Sequence, residues 1–324
     1  MNYKNVLVTG GGGFIGSFLA ERFVSEGLNV TVIDDFSRGN VDHLNSVIKQ
    51  ISVYAIDLAD TSNIDDIAQI IDAKKIDLVI HYAAVNGTMH FYDNAMRTAL
   101  VNSLGTANLL EAIGKAELCT IKKITFASTS EVYGEPVEVP TPESGLTYSR
   151  IEETRDSYSS AKMMSEFYVK LWCDQNGVKY NLLRIFNVYG PRMVNTKYGQ
   201  VIPEFIKRIT DGEWPLVMVG DGEHTRSFCY VDDHVEMVCR VINSENYDNK
   251  VVNIGNDVEI TIRQLAEKLQ TLLGVEPNLE TSLPRDGDIL RRCPDISLFL
   301  KHNNDFSFVA LEDGLVNSIQ YYKL

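Results

Sequence analysis

The stretch Val6-Leu7-Val8-Thr9-Gly10-Gly11-Gly12-Gly13-Phe14-Ile15-Gly16 decides the fold. An apolar run reads as a short strand, and glycines then turn the backbone. A helical pattern follows from Ser17 to Ser25, with Phe18, Leu19, Phe23 and Val24 on an apolar face. That layout predicts a cradle for a dinucleotide. Side chains are missing where the backbone must approach a pyrophosphate, and the helix N-terminus offers N–H groups and the positive end of its dipole. The spacing reads two ways, as G-x-G-x-x-G on Gly11, Gly13 and Gly16, or as G-x-x-G-x-x-G on Gly10, Gly13 and Gly16.

A second apolar strand, Val30-Thr31-Val32-Ile33, ends in Asp34, about 20 residues downstream. A carboxylate there can accept both ribose hydroxyls of NAD and repels the 2′-phosphate of NADP. The alternative is an aspartate that only caps a loop; behind these glycines, ribose binding is the stronger reading. Arg38, close by, could serve a 2′-phosphate, so NADP is disfavoured only by degree.

The chain has 324 residues, long enough for a sizeable core and for one large domain or a domain with a smaller companion. No apolar run reaches the ~18 residues of a membrane span, and the N-terminus enters a strand without a signal peptide. Five cysteines (Cys119, Cys173, Cys229, Cys239 and Cys293) are scattered and lack C-x-x-C spacing, as expected of reduced thiols in a cytoplasmic protein. The six histidines form no H-x-x-x-H pair, and no metal site is expected. A net charge of −14 argues against nucleic acid and against an anionic membrane surface. A phosphate-bearing ligand would therefore need arginines gathered locally in its cleft.

Strands at Val6–Thr9, Val30–Asp34, Ser52–Ile56, Leu78–His81, Ile124–Ser128 and Asn181–Ile185 alternate with helical stretches. Such alternation predicts an α/β fold, a doubly wound parallel sheet covered on both faces. After Tyr189-Gly190-Pro191 the pattern becomes irregular. This region reads as a smaller, discontinuous C-terminal part that roofs the strand ends and binds substrate. Residues 1–189 form the cofactor-binding domain, with returns at about 227–256; residues 190–226 and 257–324 form the roof.

Tyr158-Ser159-Ser160-Ala161-Lys162 places a tyrosine and a lysine on one face of a helix. An ammonium near a phenol lowers its pKa, which suits the tyrosine as a base toward a sugar or alcohol hydroxyl. The strand Ile124–Ser128 runs into Thr129-Ser130-Glu131-Val132-Tyr133-Gly134, where a hydroxyl at the strand end can hold the same substrate oxygen.

With these pieces in order, the chain resembles an extended short-chain dehydrogenase/reductase acting on nucleotide sugars. The shared marks are TGGGGFIG, Asp34, Asp57-Leu58, the HYAA segment (His81 to Ala84), STSEVYG, YSSAK, LRIFNVYGPR and a late Arg285-Asp286-Gly287-Asp288. The resemblance implies a Rossmann-type fold and NAD as cofactor. It selects the Gly10, Gly13 and Gly16 spacing and places Phe14 and Ile15 on the pyrophosphate. It puts Asp34 on the adenosine ribose, Asp35, Phe36 and Ser37 among the cofactor-binding residues, and Asp57 and Leu58 at the adenine. Ala83 and Ala84 would line the cofactor. Thr129 matches the catalytic Ser/Thr, Tyr158 the base, and Lys162 its partner, which also binds the nicotinamide ribose. Phe186 and Asn187 lie where the family has nicotinamide and substrate-phosphate contacts. Arg226 and Arg285 match arginines that grip the sugar-nucleotide pyrophosphate, and guanidinium forks suit that task. Arg291-Arg292 is a weaker candidate. Ser130, Val201, Asp288 and the loop Asn86-Gly87-Thr88 belong to the expected substrate pocket.

The resemblance also frames the reaction. The shared first step is oxidation of a sugar carbon, usually C4. The 4,6-dehydratases carry Thr-Asp-Glu at this strand end; here Ser130 replaces the acid. UDP-glucuronate decarboxylases carry Thr-Ser-Glu and match at Arg226, but their P-R-A-C-Y-D-E-G-K pattern is absent around Tyr158. The expectation is net epimerisation or a 4-keto product, with decarboxylation as the alternative and a non-catalytic NAD-binding sensor as the different class. Glu131 is either a base at C5 or a loop anchor. A homodimer through a four-helix interface follows from the resemblance, built from the Tyr158 helix and the one at about Asn102–Lys115.

Overall fold

The computed structural model describes residues 2–118, 120–194, 200–283 and 289–323. Val6 and Val8 join one buried apolar cluster and Leu7 another, so the first strand is covered on both faces. That is the burial expected of an interior parallel strand.

The first part of the chain runs β1 (Asn5–Thr9), α1 (Phe14–Ser25), β2 (Asn29–Asp34), β3 (Ser52–Ala55), α2 (Ile64–Lys74) and β4 (Leu78–His81). It continues with α3 (Thr88–Asp93), α4 (Ala95–Lys115), β5 (Lys123–Thr129), α5 (Ser157–Asn176) and β6 (Lys179–Ile185). Then follow β7 (Val188–Tyr189), α6 (Val201–Thr210), β8 (Leu216–Val219), β9 (Thr225–Ser227), β10 (Cys229–Tyr230) and α7 (Val231–Asn243). The last elements are β11 (Lys250–Ile254), β12 (Glu259–Thr261), α8 (Ile262–Leu272), β13 (Leu279–Ser282), β14 (Arg291–Arg292), α9 (Ser297–Leu300) and α10 (Leu311–Tyr322).

The central sheet has seven strands in the order β11-β6-β5-β4-β1-β2-β3, all paired in parallel. The strand order reverses between β1 and β4, and ligands of doubly wound sheets bind beyond the strand ends at such a point. Leu19 and Phe23 of α1 and Val235 and Val238 of α7 pack on one face. Ile67 of α2, Leu109 of α4 and Val169 of α5 pack on the other. Smaller sheets, β12-β9-β14 and β13-β8, bring Arg226, Arg292 and Val219 to the cleft.

Element boundaries differ modestly from the sequence expectations. Helix α1 starts at Phe14 rather than Ser17, because Gly13 in extended conformation is its N-cap and its carbonyl accepts from Ser17 N at 3.1 Å. Helix α4 begins at Ala95, well before Asn102. Cys173, Cys229, Cys239 and Cys293 are buried and free; Cys119 lies outside the described residues. No helix among the described residues is long and apolar enough to cross a membrane. None of their His, Cys, Asp and Glu side chains gather in threes around a metal-sized site.

Candidate active site

The glycines of the opening stretch have different tasks. Gly10 has φ +71°, a left-handed conformation that favours glycine, and a Cβ there would sit 2.6 Å from the Ala83 nitrogen. A Cβ on Gly16 would run into the Gly10 carbonyl oxygen. Gly13 meets only that same oxygen, at 3.1 Å, so its bare side faces the cleft. The first turn of α1 carries no acidic residue and its N-cap makes no side-chain bond. This cradle, closed to side chains and headed by a helix N-terminus, fits a dinucleotide pyrophosphate.

At the end of β2, Asp34 is buried, and its two carboxylate oxygens accept from Gly12 N and Phe36 N at 2.8 Å each. Burial pushes its pKa up, against those two backbone bonds. Ser37 donates to Asp35 through backbone N and Oγ. Arg38 reaches over the cleft to the Asn86 carbonyl. Asp57 holds the next turn by accepting from Ala59 N at 2.8 Å.

One cleft of about 470 Å³ runs along the strand ends. It is lined by Gly10, Gly13, Phe14, Ile15, Gly16, Asp34, Asp35, Ser37, Asp57, Leu58, Ala83 and Ala84, then by Thr129, Ser130, Glu131, Tyr158 and Lys162. Asn86, Gly87, Asn187, Val201 and Arg226 border it as well. Phe36 and Phe186 do not line it. The Phe36 ring sits where a Gly12 Cβ would point, and Phe186 is buried in a small cluster with Val132 and Tyr133. Arg285 and Asp288 lie outside the described residues, as does the Thr88 side chain.

Tyr158 and Lys162, on the first turns of α5, are both buried. The phenol faces the Thr129 hydroxyl, which acts to lower its pKa, and stacks on Phe91 of α3, ring centroids 4.9 Å apart and planes 21° apart. The Lys162 Nζ donates to the Ala127 carbonyl at 2.9 Å and sits 6.0 Å from the Tyr158 ring centre. The electrostatics depart from the sequence reading. Burial and the Glu131 carboxylate raise the phenol well above its ordinary value, and the Thr129 hydroxyl and Arg38 offset them only in part. The lysine is the more perturbed partner in function: burial brings it down to about 7, against the opposing pull of Glu166.

Glu131 stands at the other wall of the cleft. Arg292 donates to its Oε1 from Nη1 at 2.5 Å, and Arg155 Nη2 lies 3.5 Å from the same oxygen. Burial alone would raise this carboxyl; Arg292, Arg155 and the more distant Arg226 overcome it and hold the pKa at about 2. Arg226 on β9 and Arg292 on β14 are register partners in adjacent strands. Arg292 is 7% exposed, and its Nε and Nη2 have no hydrogen-bond partner among the described residues. Phe91 and Arg155 were not singled out from the sequence. Arg155, three residues before Tyr158, is visible only as one more charge in a polar loop.

A doubly wound sheet with a glycine cradle at its switch point, and Thr129, Tyr158 and Lys162 beside it, defines the nicotinamide-dependent class of short-chain dehydrogenase/reductase folds. The model of the NAD dependent epimerase/dehydratase family matches residues 6–255, and the chain belongs to that family. It is 31% identical to a UDP-N-acetyl-alpha-D-glucosaminuronate decarboxylase of Bacillus cytotoxicus, covering 99% of this chain and 98% of that one. Its structure is similar to a UDP-glucose 4-epimerase of Thermotoga maritima with UDP-glucose, with TM-score 0.86, 32% identity and 98% of each chain covered. It is also similar to a UDP-N-acetylglucosamine 4-epimerase of Methanobrevibacter ruminantium in complex with UDP-N-acetylmuramic acid. There the TM-score is 0.85 and the identity 32%, with 100% of this chain and 99% of that one covered. The family modifies nucleotide sugars with NAD, and the residues of the cleft fit that cofactor.

Proposed function

We propose that the protein oxidises a hydroxyl at C4 of the sugar in a nucleotide-diphosphate sugar, ending in net epimerisation or a 4-keto sugar. The observation that carries this reading is the convergence of Thr129, Tyr158 and Lys162 on the cleft that the glycine cradle opens. Thr129 orients the substrate hydroxyl, and Tyr158 takes its proton. Lys162 holds positive charge near the phenol, which favours the phenolate. Gly10, Gly13, Phe14, Ile15 and Gly16 would hold the NAD pyrophosphate and Asp34 the adenosine ribose. When bound, NAD+ supplies the hydride acceptor. Arg226 faces the sugar-nucleotide pyrophosphate.

A second reading, decarboxylation of a nucleotide hexuronate, is supported by one observation. Arg226 and Arg292 lie side by side with Glu131 as their shared carboxylate, and the buried Nε and Nη2 of Arg292 can take a further anion. The test is a panel of UDP-, dTDP-, GDP- and CDP-sugars, including UDP-glucuronate, read by mass spectrometry and NMR. Unchanged mass with altered stereochemistry identifies an epimerase, loss of two hydrogens a 4-dehydrogenase, and loss of CO2 a decarboxylase. Unchanged turnover in Tyr158→Phe would overturn both readings.

The division into residues 1–189 with returns at about 227–256, and 190–226 with 257–324, belongs to the same proposal, as do the cytoplasmic location and the homodimer. For the dimer, Met96 and Leu100 on α4 and Met164, Phe167 and Leu171 on the adjoining α5 are exposed apolar side chains. A second copy of the same two helices would cover them.

A further inference from the structure

Helix α5 carries a third acid–base side chain on the face that holds Tyr158 and Lys162. Glu166 follows at the same spacing of four, so the three lie one above another. Each meets a different one of the last three residues of β5. Tyr158 faces the Thr129 hydroxyl, Lys162 Nζ donates to the Ala127 carbonyl, and Ser128 Oγ donates to Glu166 Oε1 at 2.5 Å. Glu166 is itself clamped from β6, since Arg184 donates from Nε to Oε1 at 3.0 Å and from Nη2 to Oε2 at 2.9 Å. The Arg184 guanidinium lies 4.8 Å from the Tyr133 ring centre, and its Nη1 donates to the Glu143 carbonyl. Ser128, Glu166 and Arg184 are all buried.

Beyond Phe126 the end of β5 is paired with β6 and no longer with β4. The Ser128–Glu166 bond ties that end to α5, because Ser128 is the residue next to Thr129 and Glu166 is fixed by a two-bond ion pair to a neighbouring strand. We propose that Glu166 is a positioning residue: through Ser128 it sets the approach of Thr129 to Tyr158, and through its charge it supports the Lys162 ammonium. The inference rests on the reading of Tyr158 and Lys162 given above.

The surroundings of Lys162 make the charge effect readable. His81, on β4, is buried and neutral; burial and then Lys162 lower it to about 3. Its Nδ1 is 2.7 Å from Thr9 Oγ1 and its Nε2 2.9 Å from Thr106 Oγ1. The Phe126 ring of β5 lies 4.8 Å from Nζ. On its own helix Lys162 has Tyr158 and Glu166, and Arg184 faces Glu166 from β6. Glu166 is thus the anion that opposes the cost of burying the ammonium.

The test uses the NAD-loaded protein labelled with ε-13C lysine, in which the cross-peak missing from Lys162→Met is assigned to Lys162. Glu166→Gln should lower the Lys162 midpoint by at least about half a pH unit, because the opposing anion is gone. Ser128→Ala, which keeps the charge, should leave the midpoint unchanged. Both variants should lower kcat about tenfold or more, with KM within about twofold, on whichever of UDP-glucose, UDP-N-acetylglucosamine and UDP-glucuronate the wild type turns over. Glu166→Asp should keep the midpoint but not kcat, since it restores the charge and not the reach. If Glu166→Gln does not fold, Glu166→Gln combined with Arg184→Met removes the unpaired guanidinium and takes its place. An unchanged midpoint in the glutamine variant overturns the charge effect; unchanged kcat in both it and Ser128→Ala overturns the positioning role. Each result, alongside an inactive Tyr158→Phe, removes that part of the role of Glu166 and leaves the catalytic reading standing. An active Tyr158→Phe removes that reading, while the Lys162 titration still decides the effect of Glu166.

Discussion

Arg292 donates to Glu131 across the mouth of the cleft, Nη1 to Oε1 at 2.5 Å, joining β14 to the short helical turn Ser130–Tyr133 that follows the catalytic strand. β14 and the catalytic wall of the cleft are therefore linked by a charge pair.

That pair predicts how Glu131 responds to pH. Its carboxyl lies at about 2, below its ordinary 4.5, so it is ionised at every pH at which the enzyme is assayed. Glu131→Gln should lower turnover without moving any limb of the pH–rate profile between about pH 5 and 8. A folded-state pKa below the unfolded one gives stability that is present above about 4.5 and lost as pH falls toward 2. Urea unfolding should show a larger acid loss for the wild type than for the variant. At pH 7, Glu131→Ala should cost about 3–5 kcal/mol, because it strands a buried guanidinium.

Lys162 predicts a trend of the same sign in a higher pH window. Its folded-state pKa of about 7 lies below its ordinary 10.5, so between those values the unfolded chain binds more protons. Its contribution to stability therefore rises as pH increases through that window. Urea unfolding from pH 6 to 10, compared with Lys162→Met, should show the wild type gaining stability relative to the variant.

Two neighbouring glycines should fail differently. Gly16→Ala places a Cβ against the Gly10 carbonyl, a backbone atom that has nowhere to go. It should lower Tm and abolish NAD binding together. Gly13→Ala has only a tight 3.1 Å contact with that oxygen and otherwise projects into the cleft. It should keep most of its Tm and still lose NAD affinity, about tenfold or more, as read by calorimetry.

Asp34→Ser removes the carboxylate that holds Gly12 N and Phe36 N. NAD affinity should fall about tenfold or more, and the preference over NADP should narrow, because the charge that repels a 2′-phosphate is gone and Arg38 remains nearby. Titration of both cofactors into the wild type and the variant measures this directly.

The apolar stripe on α4 and α5 predicts an association that one charge should break. Phe167 is 60% exposed and Met96 74%. Sedimentation at micromolar concentration should give a dimer for the wild type and a monomer for Phe167→Glu, with unchanged Tm. A monomeric wild type would sink the expectation.

Much of this site can be read along the chain because its parts are local. Gly10 to Gly16 form one turn, Asp34 ends the next strand, and Tyr158 and Lys162 are four residues apart on one helix; neighbours in sequence carry the pattern. Pairings of distant residues have no such signature. Arg292 and Glu131 are 161 positions apart, and Phe91 reaches Tyr158 from a different helix. The sign of the phenol shift was also out of reach. A lysine four residues away suggests a lowered pKa, but burial depth and the nearness of Glu131 are set by how the elements pack, and they prevail.

Amino-acid order alone determined the alternating architecture, the cofactor cradle and the Tyr–Lys pair, because backbone conformation and helical spacing are local properties. Only the tertiary structure decided that Glu131 is paired with Arg292 and Arg155 and that Arg226 and Arg292 stand side by side. It alone showed that Ala127 and Ser128 are each bonded to a separate side chain of α5, with Thr129 beside a third. Those relationships depend on which strand ends and loops are brought over the same cleft, and the charges there act through distance and burial.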